Sequence, residues 1–195
     1  ETYQALRNLL KDWLPRLRVL PGNHDDRALM RQIFGDVVQT VGDRNVFAES
    51  SGNWRLIGLD TQITGSLLGE VGSEQLAWLE RQLAASPLPT ALFLHHHPLP
   101  IGSLWLEKII LQDAASLWQL LDRFPQVRVL CGGHVHQEWA VLRGSTLVLT
   151  TPSTGVQFRP ETETLVVDDM PPAYRILDLA DDGGVQSRVI RVPAL

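Results

Sequence analysis

The sequence is poor in features that mark secreted and membrane-spanning proteins. Its 195 residues include a single cysteine, Cys131, so no disulfide can form within the chain. This favours a reducing cytoplasm over secretion. The longest apolar stretches, such as 91–94 and 147–149, fall far short of the roughly 20 residues that cross a bilayer. We therefore expect a cytoplasmic protein with no membrane span and no membrane partner.

Positive charge is also sparse. Lysine and arginine number 17 against 22 aspartates and glutamates, which gives a net charge of −5. No run of basic residues stands out, and binding a nucleic-acid backbone usually needs a basic face. The composition thus argues against a nucleic-acid partner, and any phosphate chemistry must be local. With 44% hydrophobic and 20% charged residues, the chain is ordinary for one globular domain.

The chain has no initiator methionine. Residue 1 is a glutamate at the start of an amphipathic helical pattern formed by Tyr3, Leu6, Leu9, Leu10 and Trp13. Such a beginning is typical of a cut end. We expect residues 1–195 to form a single domain that is truncated at its N-terminus.

Predicted strands and helices alternate through the first two thirds of the chain. Hydrophobic periodicity indicates strands at 17–20, 54–60, 92–94 and 127–130. The same patterns indicate helices at 1–13, 27–34, 73–85 and 113–124, with Ser73 and Asp113 as caps. After residue 136 the pattern changes to short β segments at 138–142, 146–150, 164–168, 174–179 and 185–192. We expect an α/β fold in which these later strands form a second sheet packed on the first.

All six histidines lie in three short segments. These segments are 21–25 (Pro-Gly-Asn-His-Asp), 94–98 (Leu-His-His-His-Pro) and 131–136 (Cys-Gly-Gly-His-Val-His), and each follows a predicted strand. Because ligands gather beyond the carboxyl ends of strands in open α/β sheets, the three segments can converge. A single histidine is usually structural, whereas this clustering indicates a metal site.

The residue types at this site suit transition metals. Neutral imidazole nitrogens bind Zn, Mn and Fe, and the amide oxygen of Asn23 can complete a mixed nitrogen and oxygen shell. His134 and His136 are two residues apart, so in an extended segment both rings point the same way. Gly132 and Gly133 let the backbone turn tightly and approach the metals.

The three segments resemble the later motifs of a known superfamily. Gly22-Asn23-His24-Asp25, His95-His96 and Gly133-His134-Val135-His136 are similar to motifs of the calcineurin-like metallophosphoesterases. Three further features narrow the resemblance to the bacterial 3′,5′-cyclic AMP phosphodiesterases of that superfamily. They are Pro21, the segment 95–100 (His-His-His-Pro-Leu-Pro) and the segment 151–160 (Thr-Pro-Ser-Thr-Gly-Val-Gln-Phe-Arg-Pro).

The resemblance implies a fold and an activity. The fold is an αββα sandwich of two mixed sheets flanked by helices, here lacking its first strand–helix units. The activity is hydrolysis of a cyclic nucleotide to its monophosphate at a dinuclear centre of divalent or trivalent Fe, Mn or Zn. By position, Asn23, His95 and His134 match the ligands of one metal, and His136 matches a ligand of the other. Asn23, His24 and His136 match residues near the nucleotide phosphate.

The remaining polar residues of these segments have supporting or catalytic roles in the prediction. His24 lies beside a ligand and is placed to donate a proton to the leaving-group oxygen. Asp25 is expected to orient the imidazole of His24. His96 is interpreted as a supporting residue behind the ligands and His97 as structural. Asp60 is interpreted as a structural cap or turn residue.

Two motifs of the superfamily are missing. Its pattern begins with Asp-x-His and continues with a Gly-Asp segment, which supply an aspartate and a histidine for one metal and the aspartate that bridges both. Neither occurs before Asn23. We therefore expect this chain alone to bind at most one metal, weakly, and to be inactive. Its uncovered edge should lead to association with another copy or to partial unfolding.

Two other functions remain open at this stage. The same metal centre could hydrolyse other phosphodiesters or phosphomonoesters, because specificity lies in loops such as 65–72 and 101–112. Alternatively, the chain could be a non-catalytic fragment or a regulatory binder that keeps the fold.

Overall fold

The computed structural model describes residues 1–193. The helices are α1 (Thr2–Leu9), α2 (Arg27–Phe34), α3 (Ser73–Ala84), α4 (Leu104–Glu107) and α5 (Ala114–Leu121), with a 3₁₀ helix at Lys11–Arg16. The strands are β1 (Gln39–Val41), β2 (Arg44–Ser51), β3 (Trp54–Gly58), β4 (Thr90–Leu94), β5 (Val127–Gly132), β6 (Trp139–Arg143), β7 (Thr146–Thr150), β8 (Gln157–Phe158), β9 (Val167–Asp168), β10 (Ala173–Leu179) and β11 (Val185–Arg191). None of the helices within 1–193 is both long and apolar enough to cross a membrane.

The central element is a seven-stranded mixed sheet with the order β1-β2-β3-β4-β5-β7-β6. Neighbours among β3, β4, β5 and β7 pair in parallel, whereas β1, β2 and β6 pair antiparallel with their neighbours at the two edges. The carboxyl ends of the four parallel strands therefore meet at one edge of the sheet, where α/β proteins place their ligands.

Helices cover one face of this sheet. Leu79 and Leu83 are four residues apart on α3 and share one helix face, as do Leu117 and Leu121 on α5. All four are nearly inaccessible and lie in the largest hydrophobic cluster, with Leu92 and Leu130 of the sheet among its other members. Burying an aliphatic side chain of this kind stabilises the fold by about 1.5–3 kcal/mol.

The opposite face is covered by the β10–β11 hairpin. Leu177, Leu179 and Val185 of the hairpin pack against Trp54, Ala91, Val129 and Leu149 of the sheet. The indole Nε1–H of Trp54 donates to the carbonyl of Ala180 at 2.8 Å. A turn at 181–184 joins these strands, with Gly183 at a φ of +86°. The molecule is thus a mixed α/β fold with a helical layer, a central sheet and a two-stranded second layer.

The expectation that all strands after residue 136 form a second sheet is wrong for three of the five predicted strands. The strand at Val167–Asp168 pairs with β8 in a separate two-stranded sheet. β7 pairs in parallel with β5, and β6 pairs with β7, so both extend the central sheet. Alternation of apolar residues predicts a strand but not its partner. The sequence also did not predict β1, β2 or β8, the first two of which form the other edge of the sheet.

The segment 17–20 is not the strand that its apolar residues predicted. It is half-buried and irregular, and it does not pair with any strand among residues 1–193. The first helix is also shorter than predicted, because α1 ends at Leu9 and the chain continues as a 3₁₀ helix through Pro15. Short 3₁₀ turns are common at the ends of α-helices.

The predicted caps behave differently from expectation. Ser73 is the first residue of α3, and the N-cap is Gly72. Asp113 is the N-cap of α5 but makes no capping hydrogen bond. Its carboxylate instead accepts the backbone N–H groups of Val71, at 2.9 Å, and Gly72, at 2.8 Å. Asp113 therefore connects the starts of the two helices that cover the sheet.

Candidate metal centre

The loops that carry His95 and His134 leave the sheet side by side. Leu94 at the end of β4 lies opposite Gly132 at the end of β5, and Gly132 lies opposite Thr150 at the end of β7. The N–H of Gly133 donates to the carbonyl of His95 at 3.1 Å. This hydrogen bond connects the loop after β4 to the loop after β5, just beyond the ends of the two strands. Parallel pairing thus brings together segments that are distant in the sequence.

Asn23, His95 and His134 meet at this edge. Oδ1 of Asn23 lies 2.8 Å from Nε2 of His95 and 3.2 Å from Nδ1 of His134, and these two nitrogens are 3.2 Å apart. Metal–ligand bonds of about 2.0–2.2 Å place neighbouring donor atoms roughly 3–3.5 Å apart. The spacing of the three atoms matches one coordination sphere.

Hydrogen bonds alone do not satisfy this triangle. The amide oxygen can only accept, so each imidazole would have to present an N–H. Two N–H groups would then face each other across the 3.2 Å between His95 and His134. A cation bound by the triangle instead receives one lone pair from each atom. The residues present therefore fit a metal ion, with nitrogen and oxygen donors suited to Zn, Mn or Fe.

The protonation state of the two histidines also suits metal binding. Burial, and next the charges of neighbouring histidines, lower the pKa of His95 to about 3 and that of His134 to about 2. Both rings are consequently neutral near pH 7, which is the form that binds metals.

One glycine makes room for this centre. A Cβ at Gly22 would lie 2.8 Å from Cε1 of His95, which is too close for any side chain. At Gly132 and Gly133, the two glycines expected to allow a close approach, a Cβ would come no nearer than 3.5 Å and 3.4 Å to its neighbours, which is ordinary contact. The position where space requires glycine is therefore Gly22, which no sequence pattern distinguished.

The loop after β5 is not extended, contrary to expectation. His134 and His136 have φ values of +39° and +51°, in the left-handed region that non-glycine residues rarely adopt. The loop therefore turns within a few residues, and the two rings do not share one face of an extended segment. Strained backbone of this kind occurs mainly at functional sites.

His136 lies beside the triangle of Asn23, His95 and His134 and is not part of it. Its Nδ1–H donates to the carbonyl of Val156 at 2.8 Å, which leaves Nε2 as the nitrogen with a free lone pair. The ring stacks on Phe158 with 4.6 Å between ring centroids and 1° between planes. Burial lowers the pKa of His136, and its own charge lowers the pKa values of His95 and His134. It is thus a neighbour of the centre.

His96 lies near the triangle but has no free ring nitrogen. One ring nitrogen from each of His95, His96 and His134 lies within 4.8 Å of the other two, so by distance alone the three rings could hold a metal ion. However, Nε2–H donates to the carbonyl of Leu67 at 3.2 Å, so Nδ1 must accept from Oγ1 of Thr61 at 2.8 Å. Burial lowers the pKa of His96 to about 4. Its contacts favour the predicted supporting role over a ligand role.

His97 packs behind His134. The two rings stack with 5.7 Å between centroids, and neither ring nitrogen of His97 has a hydrogen-bond partner among residues 1–193. Burial lowers its pKa to about 4, so the ring is neutral near pH 7. These contacts agree with the structural interpretation of His97.

Asp25 has different partners from those predicted. Its carboxylate accepts the hydroxyl of Tyr3 and the N–H of Gly22, each at 2.7 Å. Within the described part of the chain, no hydrogen bond joins the carboxylate of Asp25 to His24. His24 is exposed at the tip of the loop. Asp25 therefore fixes the loop that carries Asn23 and His24, a contact that the sequence could not reveal because Tyr3 is 22 residues away.

Asp60 is buried and structural. It accepts from Nε of Arg27 at 2.7 Å, from the N–H of Asn45 at 2.8 Å and from the N–H of Gln62 at 2.9 Å. Gln62 in turn donates to the backbone carbonyl of Asp25. Asp60 thus supports the loop of the metal centre from behind through its neighbours.

A mixed α/β fold with nitrogen and oxygen donors at the carboxyl edge of its parallel strands defines a metal-binding α/β protein. The sequence model of the calcineurin-like phosphoesterase family matches residues 1–138, so the chain belongs to this family. The family is one of metallophosphoesterases, and it implies divalent metal ions at the centre.

Two similar proteins within this family are named as cyclic AMP phosphodiesterases. The chain is 39% identical over 174 residues to the 3′,5′-cyclic adenosine monophosphate phosphodiesterase of Vibrio vulnificus, covering 89% of this chain and 62% of that protein. It is 36% identical over 195 residues to the enzyme of the same name from Pseudomonas aeruginosa, covering 98% of this chain and 69% of that protein. The chain thus spans 62% of the length of the Vibrio relative.

A solved structure shows the same fold. The dimetal phosphatase from Danio rerio superposes with a TM-score of 0.60 at 14% identity, covering 97% of this chain and 77% of that one. At this identity the likeness concerns the fold alone.

Proposed function

We propose that the protein to which this chain belongs hydrolyses 3′,5′-cyclic AMP, or a related cyclic nucleotide, to the nucleoside monophosphate. The observation that carries the proposal is the triangle of Asn23, His95 and His134, with His136 beside it, in a chain 39% identical to a cyclic AMP phosphodiesterase. The cytoplasm is the proposed compartment, and the proposed partner is a cyclic nucleotide, not nucleic acid or a membrane.

In this proposal the chain's own residues would supply part of the two-metal centre of the full-length protein. Asn23, His95 and His134 bind one ion of Fe, Mn or Zn, and Nε2 of His136 binds the second. When bound, the two ions generate a hydroxide nucleophile and stabilise charge on the phosphoryl oxygens. Without the aspartates of the family's first motifs, the chain by itself binds at most one ion weakly and is inactive.

The loop before α2 supplies the proton. His24 is exposed at the tip of this loop, where its imidazolium can give a proton to the oxygen that leaves phosphorus when the ring opens. Asp25 holds the loop through Tyr3 and Gly22, so that His24 and the neighbouring Asn23 keep a fixed relative position. His136 and Asn23 face the phosphate.

Metal binding by this chain is the first test. Calorimetric titration with Mn²⁺ or Zn²⁺ should show weak binding of one ion to the unmodified chain and no detectable binding to His134→Ala. The matched control is His97→Leu, because His97 stacks on His134 but neither of its ring nitrogens has a hydrogen-bond partner among residues 1–193. Equal affinities for the unmodified chain and His134→Ala would contradict the proposed site.

The substrate is tested on the full-length protein. With Mn²⁺, we expect faster hydrolysis of 3′,5′-cyclic AMP than of p-nitrophenyl phosphate, a monoester, and a large loss in His24→Ala. No hydrolysis of cyclic AMP together with hydrolysis of bis(p-nitrophenyl) phosphate would move the proposal to another phosphodiester. If neither cyclic AMP nor bis(p-nitrophenyl) phosphate is hydrolysed, the result would favour a non-catalytic binder instead.

The exposed apolar side of α1 and of the 3₁₀ helix after it is relevant to assembly. Leu9 of α1 is 77% exposed, and Trp13 of the 3₁₀ helix is 63% exposed. We propose association with a second copy that covers this side, and sedimentation of the isolated chain at several concentrations tests it. A monomer at all concentrations would contradict it.

A further inference from the structure

The segment from Ser153 to Pro160 contacts His136 in two ways. It is part of the segment 151–160, whose only distinction in the sequence is its resemblance to the bacterial cyclic AMP phosphodiesterases. Neither the metal ligands nor the proton donor lies in it. The carbonyl of Val156 accepts the Nδ1–H of His136 at 2.8 Å. Two residues later, the ring of Phe158 stacks on the imidazole at 4.6 Å, with the planes 1° apart.

These two contacts restrict different motions of the ring. The hydrogen bond determines which nitrogen carries the proton, because a carbonyl only accepts. It does not by itself hold the plane of the ring, since acceptance at a carbonyl oxygen tolerates a broad range of directions. A flat ring stacked parallel to the imidazole restricts its tilt. Phe158 is the described aromatic ring in this position.

Phe158 is itself held in place. Trp105 of α4 contacts it edge-on, with 5.1 Å between centroids and 81° between planes. The preceding residue, Gln157, is buried and binds its own turn, because its Oε1 accepts the N–H of Ser153 at 3.0 Å and its Nε2 donates to the carbonyls of Ser153 and Gly155. The surface that meets His136 is therefore a fixed one.

A hydroxyl connects the surrounding loops. Oγ of Ser103 accepts from the N–H of Glu161 at 3.0 Å and from Nε2 of Gln137 at 3.3 Å. Ser103 precedes α4, Gln137 follows His136, and Glu161 follows the segment that carries Phe158. The histidine and its stacking partner are thus held by the same buried group.

We propose that Phe158 is a positioning residue for His136: its ring keeps the imidazole in the plane in which Nδ1–H donates to Val156 and the Nε2 lone pair is presented to the second metal ion. The inference rests on the proposed function for the role of Nε2. The orientation and tautomer of the ring can be measured without metal or substrate. A metal-bound histidine whose other nitrogen donates to a carbonyl is a recurrent arrangement.

The tautomer is tested on the metal-free chain by long-range ¹⁵N–¹H spectroscopy of the histidine rings. The unmodified chain should show His136 as the Nδ1–H tautomer with a slowly exchanging ring proton. Phe158→Leu, which keeps apolar volume but not a flat face, should show mixed tautomers or at least tenfold faster exchange of that proton. Phe158→Tyr should restore the pattern of the unmodified chain.

Phe124→Leu is the matched control, because Phe124 is also half-buried but lies at the opposite end of the sheet, before β5. It should leave the His136 signals unchanged. An unchanged tautomer and exchange rate in Phe158→Leu would overturn the inference. If Phe158→Leu does not fold, Phe158→Met, which is unbranched and flexible, serves in its place with the same two outcomes.

Kinetics of the full-length protein separate positioning from general loosening. Phe158→Leu should lower kcat for cyclic AMP by about 10- to 100-fold, the range for residues behind metal ligands, with little change in KM. Phe158→Tyr should recover most of kcat. Unmodified kcat in Phe158→Leu would contradict the inference, whereas a full-length protein without any phosphodiesterase activity would contradict the proposed function and leave the tautomer test to decide the role of Phe158.

Discussion

At the residue scale, neighbouring protein groups occupy different ring nitrogens in the four histidines nearest the metal centre, and this determines their roles. These histidines are His95, His96, His134 and His136. His96 has both nitrogens engaged, by Thr61 and Leu67. His136 has one engaged by a carbonyl and one left free. His95 and His134 direct a nitrogen each at the oxygen of Asn23. A metal ligand needs a free lone pair, so these contacts separate ligands from supporting residues.

Tyr3 provides a pH-dependent prediction at this scale. Burial, and next the hydrogen bond to Asp25, raise the pKa of Tyr3 to about 12, compared with about 10 in an unfolded chain. The folded state thus favours the neutral phenol. Its contribution to stability is fully present below about pH 10 and is lost as pH rises from about 10 to about 12.

Ultraviolet titration of tyrosinate measures this effect. The unmodified chain should show a phase of tyrosine ionisation near pH 12, and Tyr3→Phe should lack it. Urea unfolding should show the stability difference between the two chains shrinking across the same pH range. A single phase near pH 10 in the unmodified chain would contradict the prediction.

At the element scale, short polar side chains fix the loops relative to the helices and strands. Asp113 connects the start of α5 to the start of α3. Ser103 connects the segment before α4 to the loops after β5 and β7. Asp26 caps α2, because its Oδ1 accepts the N–H of Leu29 at 2.9 Å. The loop of Asn23 and His24 ends at this cap, so the start of α2 also anchors the metal centre.

Removal of this cap tests the anchoring. Asp26→Ala should lower the free energy of unfolding by about 1 kcal/mol, the usual value of an N-cap side chain. Asp26→Asn, which can also accept at its side-chain oxygen, is the matched control and should retain most of the stability. Urea unfolding monitored by circular dichroism measures both. Equal losses in the two variants would show that charge, not capping, is responsible.

At the scale of the whole molecule, a buried ion pair between Arg27 and Asp60 connects the start of α2 to the segment that follows β3. The Asp60 side chain is 0% exposed and that of Arg27 is 10% exposed, with 2.7 Å between Nε and Oδ2. Asp60 also accepts backbone N–H groups from Asn45 of β2 and from Gln62. Removing one partner of a buried pair leaves the other charge unpaired in the interior.

The corresponding variant is Asp60→Ala. We expect a loss of about 3–5 kcal/mol in the free energy of unfolding, because Arg27 and two backbone groups lose their acceptor. Asp36→Ala is the comparison, since Asp36 pairs with Arg7 on the exposed surface, where such pairs contribute little. Thermal unfolding of both variants measures the difference. A similar small effect in both would contradict the structural role of Asp60.

The order of helices and strands was largely predictable. The helix at 27–34 was confirmed, and strands were found at four of the five segments predicted after residue 136 close to the expected bounds. The strand at 164–168 was reduced to Val167–Asp168. The predicted strand at 17–20 was wrong because regular β structure needs a neighbour for its backbone, which apolar residues alone do not supply.

By itself, the sequence determined the clustering of the histidines in three short segments, their suitability for a metal and the family to which the chain belongs. The second metal ligand at His136, the proton donor at His24 and the truncation remain predictions. Only the tertiary structure decided that Asp25 binds Tyr3 and that Phe158 stacks on His136. Residue types and local periodicity specify donors and elements. Contacts between distant loops depend on strand pairing and on a left-handed turn at His134 and His136, and local patterns do not encode these.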